Sequence, residues 1–370
     1  MNYTNDSRVV LTLDAGGTNF VFSAMQGMKE AVSPVRLPSY ADDLDKSLES
    51  MVQGFSQVIE QLDVKPSAIS FAFPGPADYP NGIINNVGNL PAYGGGVALA
   101  AFLEEKFQVT VFINNDGDLF VYGEAIGGFL PKVNQMLKDA GSPKQFNKLF
   151  GITLGTGFGG GLVADGQLYI GDNSAAGEIW ITRNRLHPEC FAEEGVSIRA
   201  IKGTYGRIVG IDPSEAPEPK DIYEIGQGTQ EGNREAALQA FAEMGEVIGD
   251  ALANAITLLD GLVVIGGGLS NAYPLFIESI LNHMNGTIES YSGEKLPRIV
   301  QKSFDLEDPE SLEQFIAGKV EEITVPGTQN KLRYDSLARI GIGRAVLDTS
   351  HAVSVGAYSF ALNELDKRNS

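Results

Sequence analysis

Residues 8–19 read RVVLTLDAGGTN, and this stretch decides the fold class. An apolar run rich in β-branched residues ends at Asp14 and is followed at once by glycines. That order predicts a buried strand and a tight turn. Residues 21–25, VFSAM, are again mostly apolar and predict a returning strand. The expected unit is therefore a β-hairpin, whereas a dinucleotide-binding unit would begin a helix at this point.

The second half of the chain opens in the same way. Residues 148–161 read KLFGITLGTGFGGG, which predicts another strand and another glycine turn, and Gly266–Gly268 follow a third apolar strand. Two glycine-loop hairpins, one at the start of each half, suggest two copies of one α/β fold. The remaining predicted elements are helices at 43–62, 98–107, 119–126, 235–259 and 352–365 and strands at 68–73 and 109–113, with residues 287–329 unassigned.

Length and charge limit the possible functions. The chain has 370 residues, 43% of them apolar, which suits two domains, and a net charge of −20, which disfavours nucleic acids and anionic membranes as partners. Cys190 is the only cysteine, so we expect neither a disulfide nor a thiolate zinc cluster. No signal-peptide pattern and no apolar run of membrane-spanning length is found. We therefore expect a cytoplasmic protein.

The glycine turns are candidate phosphate sites. Successive backbone N–H groups in such turns form an anion-binding concavity, and glycine allows close approach of a ligand. Asp14 ends its strand beside the first turn, where a carboxylate can hold Mg²⁺ through water. A single glycine turn is usually only a turn, but three at strand ends suggest the ligand-binding edge of a sheet. The predicted phosphate-binding residues are Gly16, Gly17, Thr18, Asn19, Gly155, Thr156, Gly157, Gly266, Gly267 and Gly268.

Carboxylates and amides near the other strand ends are candidate ligands for sugar hydroxyls, which both donate and accept hydrogen bonds. Asp116 follows the predicted strand 109–113 and is our candidate for the base that takes the proton of the attacking hydroxyl. The alternative is that Asp116 only caps the helix that follows. The candidates for hydroxyl binding are Asn89, Asn115, Asp116, Glu178 and Glu193.

These motifs, taken in order, resemble the ROK family (repressor, open reading frame, kinase) of the actin–hexokinase–Hsp70 superfamily. The resemblance extends from about Val9 to the C-terminus, and the whole set is more specific than any single motif. The motifs are LDAGGTN at 13–19, PGP at 74–76, Asn115-Asp116, LGTGFGGG at 154–161, AGE at 176–178 and IGGG at 265–268.

The resemblance implies a ribonuclease H-like fold in each of two domains, with the sugar and ATP meeting in a cleft between them. We expect the N-terminal domain at 1–118, completed by the C-terminal helix 352–370, and the C-terminal domain at 119–351. It also implies ATP and Mg²⁺ as cofactors, and a homodimer. The insertion at 127–147 is a candidate for contacts in that oligomer.

The resemblance also assigns roles to residues. Asp116 would be the catalytic base, the loops at 14–19 and 155–159 would hold phosphate, and Gly266–Gly268 would line the adenosine. The residues implied in sugar binding are Gly75, Asn89, Asn115, Glu178 and Glu193, with Glu194 in place of Glu193 if the alignment slips by one residue.

The chain departs from the family pattern in two places. Ile181 occupies the position of a common sugar-binding histidine, which leaves glucose specificity open. Cys190 alone remains of a zinc-binding cysteine cluster, so we expect no zinc site.

The predicted activity is glucokinase-like: ATP-dependent phosphorylation of a hexose or amino sugar at O6. The alternatives are a sugar-responsive regulator and a non-catalytic sugar sensor. Repressors of this family carry an N-terminal helix-turn-helix, and the predicted first strand at Arg8 leaves no room for one. A sensor would not need the base at Asp116 together with Asp14 and the glycine loops.

Overall fold

The computed structural model describes residues 3–75, 77–85, 88 and 90–368. In chain order the strands are β1 (Val9–Ala15), β2 (Asn19–Gln26), β3 (Lys29–Glu30), β4 (Val35–Pro38), β5 (Ala68–Ala72), β6 (Ala77–Asp78), β7 (Ile83–Ile84), β8 (Val97–Ala98), β9 (Thr110–Asn114), β10 (Lys148–Leu154), β11 (Phe158–Ala164), β12 (Gln167–Leu168), β13 (Leu262–Gly266), β14 (Thr287–Glu289), β15 (Lys295–Pro297), β16 (Lys302–Asp305), β17 (Val320–Thr324), β18 (Lys331–Asp335) and β19 (Arg339–Arg344). The α-helices are α1 (Leu44–Ile59), α2 (Leu99–Phe107), α3 (Asp116–Ile126), α4 (Phe129–Asp139), α5 (Ile198–Val209), α6 (Pro219–Gln227), α7 (Arg234–Leu259), α8 (Tyr273–Met284), α9 (Pro309–Ala317) and α10 (Thr349–Arg368).

The chain forms two compact units. The first contains the described residues of 1–128, 161–177 and 346–370, and the second contains residues 129–160 and 178–345. Short 3₁₀ helices occur in both units, at Pro91–Tyr93, Ile179–Ile181, Ala192–Gly195 and Gly268–Ala272.

The sheet of the first unit has the strand order β3-β2-β1-β5-β9, with β4 also paired to β2. β1 and β2 are antiparallel, which confirms the hairpin predicted from residues 8–25. β1, β5 and β9 are parallel, with Asp14 opposite Ala72 and Ala72 opposite Asn114. The carboxyl ends of these three strands therefore meet at one edge of the sheet, and Asp14 lies at that edge.

Helix α1 covers one face of this sheet, as the apolar spacing of residues 43–62 predicts. It begins after Asp43, whose side chain accepts the N–H of Lys46 at 3.1 Å. The Phe55 ring packs edge-on against Phe22 with 5.0 Å between ring centroids. Gly54 lies so close to Phe22 that a Cβ would stand 2.2 Å from its ring, so this position requires glycine. These apolar contacts bury the face that supports β1 and β2.

Helices α3 and α10 cross at unusually short range in the first unit. A Cβ on Gly123 would stand 2.0 Å from the carbonyl oxygen of Ala352, and a Cβ on Gly356 would stand 1.9 Å from that of Leu119. Only glycine permits so close an approach of two helix backbones. This crossing holds α3, and with it Asp116 at its start, against the C-terminal helix.

The second unit has its own sheet, in which β10, β13, β19 and β16 are neighbours in that order and run parallel. β11 follows β10 through the second glycine turn and pairs with it. Thr153 lies opposite Gly266, so the ends of β10 and β13 lie side by side. Two of the predicted glycine turns are thereby brought to the same edge of this sheet.

The segments that the sequence left without assignment contain regular structure. Residues 287–329 include β14, β15, β16, α9 and β17, and the insertion at 127–147 contains α4. β14 pairs only with β15, and β17 only with β18, among the described residues. These hairpins add surface to the second unit without extending its main sheet.

Candidate active site

The turn between β1 and β2 is closed by its own backbone. The N–H of Gly16 donates to the carbonyl oxygen of Asn19 at 3.1 Å. A Cβ on Gly16 would stand 2.9 Å from that oxygen, so the turn has no room for a side chain there. Asp14 is exposed immediately before the turn, and Thr18 is exposed within it. The geometry therefore presents a carboxylate and a hydroxyl on a tight backbone loop.

Ser39, just after β4, holds this loop from the neighbouring strand. Its hydroxyl donates to the carbonyl oxygen of Gly17 at 2.6 Å, and its N–H donates to that of Thr18 at 3.1 Å. Ser39 is buried, with 1% of its surface exposed. Ser39 thus accounts for the carbonyl oxygens of Gly17 and Thr18 on one side of the loop. Sequence patterns did not point to Ser39, because a single serine between Pro38 and Tyr40 belongs to no motif.

Asp116 is the first residue of α3, and Asn115 is its N-cap. The Asn115 side chain accepts the N–H of Gly117 at 2.8 Å, and Asp116 Oδ1 accepts the same N–H at 2.9 Å. The sequence allowed Asp116 to be the N-cap of this helix, but the N-cap is Asn115. The hydrogen bond from Gly117 orients the Asp116 carboxylate. Asp116 is also exposed, so this carboxylate is accessible to a ligand.

Asp14 and Asp116 line one cavity of about 450 Å³ in the first unit. Thr12 and Ser23 line it as well, as do residues 348–351, 353 and 354 at the start of α10. Ser23 Oγ is buried and has no hydrogen-bond partner among the described residues. Carboxylate and hydroxyl oxygens are therefore available among the lining residues, and oxygen ligands are those that Mg²⁺ prefers. The residues of this cavity fit the predicted metal.

Gly75 and Asn115 meet at Tyr79, which is 6% exposed. The Tyr79 hydroxyl donates to the carbonyl oxygen of Phe73 at 3.0 Å, and Asn115 Nδ2 lies 3.4 Å from that hydroxyl. A Cβ on Gly75 would stand 2.8 Å from the same atom. Tyr79 therefore ties two predicted sugar-binding positions together. Asn89, the remaining candidate of this half, lies outside the described residues.

Glu193 contacts the glycine turn between β10 and β11. Its Oε2 accepts the N–H of Phe158 at 3.0 Å, and a Cβ on Gly157 would stand 2.7 Å from that oxygen. The turn itself is closed by the N–H of Gly155, which donates to Gly157 at 3.1 Å and leaves Thr156 exposed at the tip. A predicted sugar ligand and a predicted phosphate loop are thus in direct contact within the second unit.

Gly266–Gly268 pack against the same turn. Gly267 has a φ of +85°, and a Cβ there would stand 2.4 Å from the carbonyl oxygen of Leu154, the last residue of β10. The backbone of one glycine turn therefore lies directly on the strand that leads into the other. The structure brings residues 155–157 and 266–268 together, although more than a hundred residues of chain separate them.

Glu178 begins the 3₁₀ helix Ile179–Ile181 and is exposed, as is Ile181. The indole N–H of Trp180 donates to Glu178 Oε2. The N–H of Ala192 donates to the carbonyl oxygen of Thr182 at 2.7 Å, which joins this segment to the one that carries Glu193. Glu178 and Glu193 therefore lie on adjacent segments of one unit.

Arg199 is a residue that the sequence did not single out. Its Nη2 donates to Glu193 Oε1 at 3.0 Å and to Glu194 Oε1 at 2.8 Å. The two glutamates that competed for one predicted role are thus bound by the same guanidinium, while only Glu193 also contacts the glycine turn. The sequence carried no signal for this contact, because Arg199 lies six and five residues beyond the two acids and in a different helix, outside the i+3 and i+4 spacing of helical pairs.

Two negative observations apply to the described part of the chain. Its His, Cys, Asp and Glu side chains nowhere form a group of three or more that could hold a metal ion. None of its helices combines the length and the apolar composition needed to cross a membrane.

Similarities to known proteins cover most of the chain. The model of the ROK family matches residues 10–308. The N-acetyl-D-glucosamine kinase of Vibrio cholerae is 30% identical over 306 residues, which is 78% of this chain and 92% of that protein. The crystal structure of a glucokinase from Parabacteroides distasonis is 51% identical with a TM-score of 0.90, over 98% of this chain and 99% of that one.

A more distant crystal structure shows the same fold. The ROK hexokinase of Thermus thermophilus is 18% identical, with a TM-score of 0.66 over 97% of this chain and 99% of that one. The predicted actin-like ATPase fold is thereby confirmed. The chain belongs to the ROK family and is an ATP-dependent sugar kinase.

Proposed function

We propose that this kinase transfers the terminal phosphoryl group of ATP to O6 of a hexose or amino sugar. The observation that carries the proposal is that Asp14 and Asp116 line the same cavity. Asp14 lies at the end of a strand and suits the acid that holds the metal. Asp116 lies at the start of a helix and suits the general base. Both carboxylates are accessible. The second unit contributes two glycine turns in mutual contact.

Asp116 is the proposed catalytic base. Its carboxylate is set by the hydrogen bond from Gly117 to Oδ1, and the crossing of α3 with α10 sets the helix that carries it. A carboxylate within hydrogen-bond reach of the attacking hydroxyl can accept its proton during transfer. In phosphoryl transfer most of the remaining barrier is lowered by positioning and by neutralising charge.

The glycine turns are the proposed phosphate-binding elements. Residues 16–19 and 155–157 would present N–H groups and the hydroxyls of Thr18 and Thr156, and Gly266–Gly268 would line the adenosine. Asp14 would hold Mg²⁺ through water, and when bound the ion supplies neutralisation of the terminal phosphates. The contact of Gly267 with Leu154 supports a shared role for the two turns of the second unit.

The proposed sugar ligands are Gly75, Asn89, Asn115, Glu178 and Glu193. Glu193 is held at both carboxylate oxygens, by Phe158 N–H and by Arg199. Because the carboxylate orientation is fixed, it can accept hydrogen bonds only from sugar hydroxyls that approach from one side. This favours selectivity among sugars. We prefer Glu193 to Glu194, because it alone of the two contacts the glycine turn.

The identity of the sugar is the open part of the proposal. The similar proteins include a glucokinase and an N-acetyl-D-glucosamine kinase. Ile181 is 62% exposed where many family members have a histidine, so the contact which that histidine makes is missing here. We propose that glucose and N-acetylglucosamine are the first candidates.

We also propose that the chain folds into two ribonuclease H-like domains, and that the protein acts in the cytoplasm as a homodimer. A coupled assay of ADP release tests the activity across glucose, mannose, fructose, allose, N-acetylglucosamine and N-acetylmannosamine. We expect strong stimulation by one or two of them and a product phosphorylated at O6 by NMR. Absence of stimulation by every sugar would refute the proposal and favour a sensor or regulator.

A further inference from the structure

Another cavity, of about 260 Å³, lies in the second unit at the sheet edge opposite the glycine turns. Lys148 is the first residue of β10, Arg339 is the first residue of β19, and Gln301 directly precedes β16. The cavity therefore lies at the amino ends of parallel strands, whereas the glycine turns follow carboxyl ends. Because β10 has seven residues and is on the order of 20 Å long, this cavity is separate from the candidate phosphate turns.

Basic side chains dominate the charge of this cavity. Lys144, Lys148 and Arg339 line it, together with one acid, Asp260. The Asp260 carboxylate already accepts Gln301 Nε2 at 2.6 Å. An excess of positive charge in the lining is a local reversal in a chain with a net charge of −20, and it attracts anions. We call this cavity the basic cavity; it is lined by residues 144–148, 260, 300, 301, 338 and 339.

Arg339 is buried, with 1% of its surface exposed, and part of its guanidinium has no acceptor. Its Nη1 donates to Asp335 Oδ2 at 2.7 Å and to the carbonyl oxygen of Leu337 at 3.3 Å. Its Nε and Nη2 have no hydrogen-bond partner among the described residues. These two nitrogens form one edge of the guanidinium, a fork of parallel N–H groups that matches two oxygens of an oxyanion.

The rest of the guanidinium is covered by the protein. Its Cζ lies 5.3 Å from the centre of the Phe315 ring. Gly318 lies against the outer edge, where a Cβ would stand 2.7 Å from Nη1 and 2.8 Å from Nη2. These contacts hold the guanidinium in place. Buried donors almost always have a partner in the protein, a water or an ion, so an unpartnered fork on a residue that lines a cavity indicates a missing acceptor.

The segment that carries Lys144 and Lys148 is also held in place. The N–H of Phe146 donates to Asn134 Oδ1 at 2.9 Å, and Asn134 Nδ2 donates to the Phe146 carbonyl oxygen at 2.7 Å. Lys144 Nζ lies 5.7 Å from the centre of the Phe146 ring. Gly261 packs on Lys148, where a Cβ would stand 2.9 Å from the Lys148 carbonyl oxygen. The wall of the cavity is therefore formed before a ligand arrives.

We propose that the basic cavity binds a phosphoryl group, either as inorganic phosphate or as part of a small phosphorylated molecule. The Arg339 fork would bind two of its oxygens, and the ammonium groups of Lys144 and Lys148 would balance the remaining charge of a dianion. A volume of about 260 Å³ is below that of pockets for drug-sized ligands, so the ligand is smaller than a nucleotide. It binds in addition to the substrates, because the glycine turns lie at the other edge of the sheet.

Isothermal titration calorimetry on the full-length protein measures the binding of inorganic phosphate, glucose 6-phosphate and acetate in separate titrations. At least one of the two phosphate compounds should bind, and acetate should bind at least about tenfold more weakly because it has a single charge. The tighter of the two phosphate compounds identifies the source of the phosphoryl group. Equal affinity for acetate, or no binding of either phosphate compound in the millimolar range, would overturn the proposal.

Lys144→Gln removes one positive charge from the cavity and should weaken binding of the tighter compound about tenfold, because a hydrogen bond to a charged group is lost. Lys138→Gln, at an exposed position of α4 outside the cavity, is the matched control and should bind as the wild-type protein does. Both variants should keep the kinase activity of the wild-type protein. Unchanged affinity in Lys144→Gln would place the bound phosphate elsewhere, such as at the glycine turns, and would overturn the proposal.

Arg339→Lys tests the fork itself, because lysine keeps the positive charge beside Asp335 but has no pair of parallel N–H groups. It should weaken binding at least about tenfold. Circular dichroism shows whether this variant folds, and Lys144→Gln decides the question if it does not. A crystal soaked in selenate, a tetrahedral oxyanion like phosphate, should show an anomalous-scattering peak within hydrogen-bond distance of Arg339 Nε and Nη2. Selenate peaks at other places only would contradict the assignment.

Discussion

Glu124, near the end of α3, accepts the backbone N–H of Leu347 at 2.8 Å. The same carboxylate accepts the N–H of Val346 at 3.1 Å, and Glu124 is completely buried. Leu347 lies just before α10, so one buried side chain joins the helix that begins with Asp116 to the start of the C-terminal helix. The start of α10 also lines the cavity that contains Asp14 and Asp116. Glu124 thus helps to hold the start of α10, which lines the candidate active site, although Glu124 itself does not line the cavity.

Glu124→Ala should lower the free energy of unfolding by about 2–4 kcal/mol, because it removes two charge-assisted hydrogen bonds and leaves two N–H groups without their acceptor. Urea unfolding measures the change. Glu105→Ala, at an exposed position of α2, is the control and should change stability by less than about 0.5 kcal/mol. Equal effects of the two variants would show that Glu124 makes no net contribution.

Asp116→Asn should reduce kcat by about 10²- to 10⁴-fold and leave sugar binding nearly unchanged, because an amide has the shape of the carboxylate but cannot accept the proton. Steady-state kinetics and calorimetric titration with the preferred sugar measure the two effects. Asp139→Asn, an exposed acid on α4, should behave like the wild-type protein. Full activity of Asp116→Asn would remove this residue from the role of base.

Chelation of Mg²⁺ should abolish phosphoryl transfer, and Asp14→Asn should raise the Mg²⁺ concentration for half-maximal rate by about 10- to 100-fold. The reason is that Asp14 would hold the metal through water, so its loss weakens binding without removing every ligand. Titration of Mg²⁺ at saturating sugar measures the shift. Undiminished turnover in excess chelator would contradict the metal requirement.

Gly267→Ala should destabilise the protein by about 1–3 kcal/mol or more, because alanine is strained at a φ of +85° and its Cβ would overlap the Leu154 carbonyl. The matched control is Gly268→Ala, where a Cβ meets nothing within 4 Å. Thermal unfolding should show a large decrease in Tm for the first variant and a small one for the second. Similar Tm values for the two variants would show that the backbone around Gly267 and Leu154 can shift to accept a Cβ at low cost.

Asp250 should make stability depend on pH at the acid end. The hydrogen bond with His283, at 3.0 Å, and that from Arg298 hold the pKa of Asp250 below its ordinary value of 3.8. A lowered folded-state pKa means that the contribution is present above the unfolded pKa and is lost as the pH falls through the folded one. Asp250→Asn should therefore cost more stability at pH 7 than at pH 3.

Urea unfolding of the wild-type protein and Asp250→Asn at both pH values checks this expectation. Asp139→Asn serves again as the control, since its partner is only the exposed side chain of Gln135. The same difference between wild type and Asp250→Asn at pH 7 and pH 3 would contradict the assigned cause.

Local patterns predicted the elements whose signals are local. The hairpin of β1 and β2, the helices α1 and α7, and the strands β5 and β13 all follow from apolar spacing and from glycines at strand ends. β19 escaped prediction because its sequence, RIGIGR, contains two glycines, which are poor strand formers. The glycines are needed because Leu306 and Phe129 occupy the space beside Gly341 and Gly343. That requirement is visible only when distant residues are in place.

The sequence by itself determined the class of the protein: the order of its glycine turns and acids identifies an actin-like sugar kinase, because each turn is specified by neighbouring residues. Tertiary structure alone decided which side chains act together. Parallel pairing brought Asp14 to the same sheet edge as Asn114 and the start of α3, and placed Gly267 on Leu154. It also made Asn115 the N-cap of α3 and placed Glu193 against the second glycine turn. These contacts join residues far apart in the chain, so their energies depend on packing that no local pattern encodes.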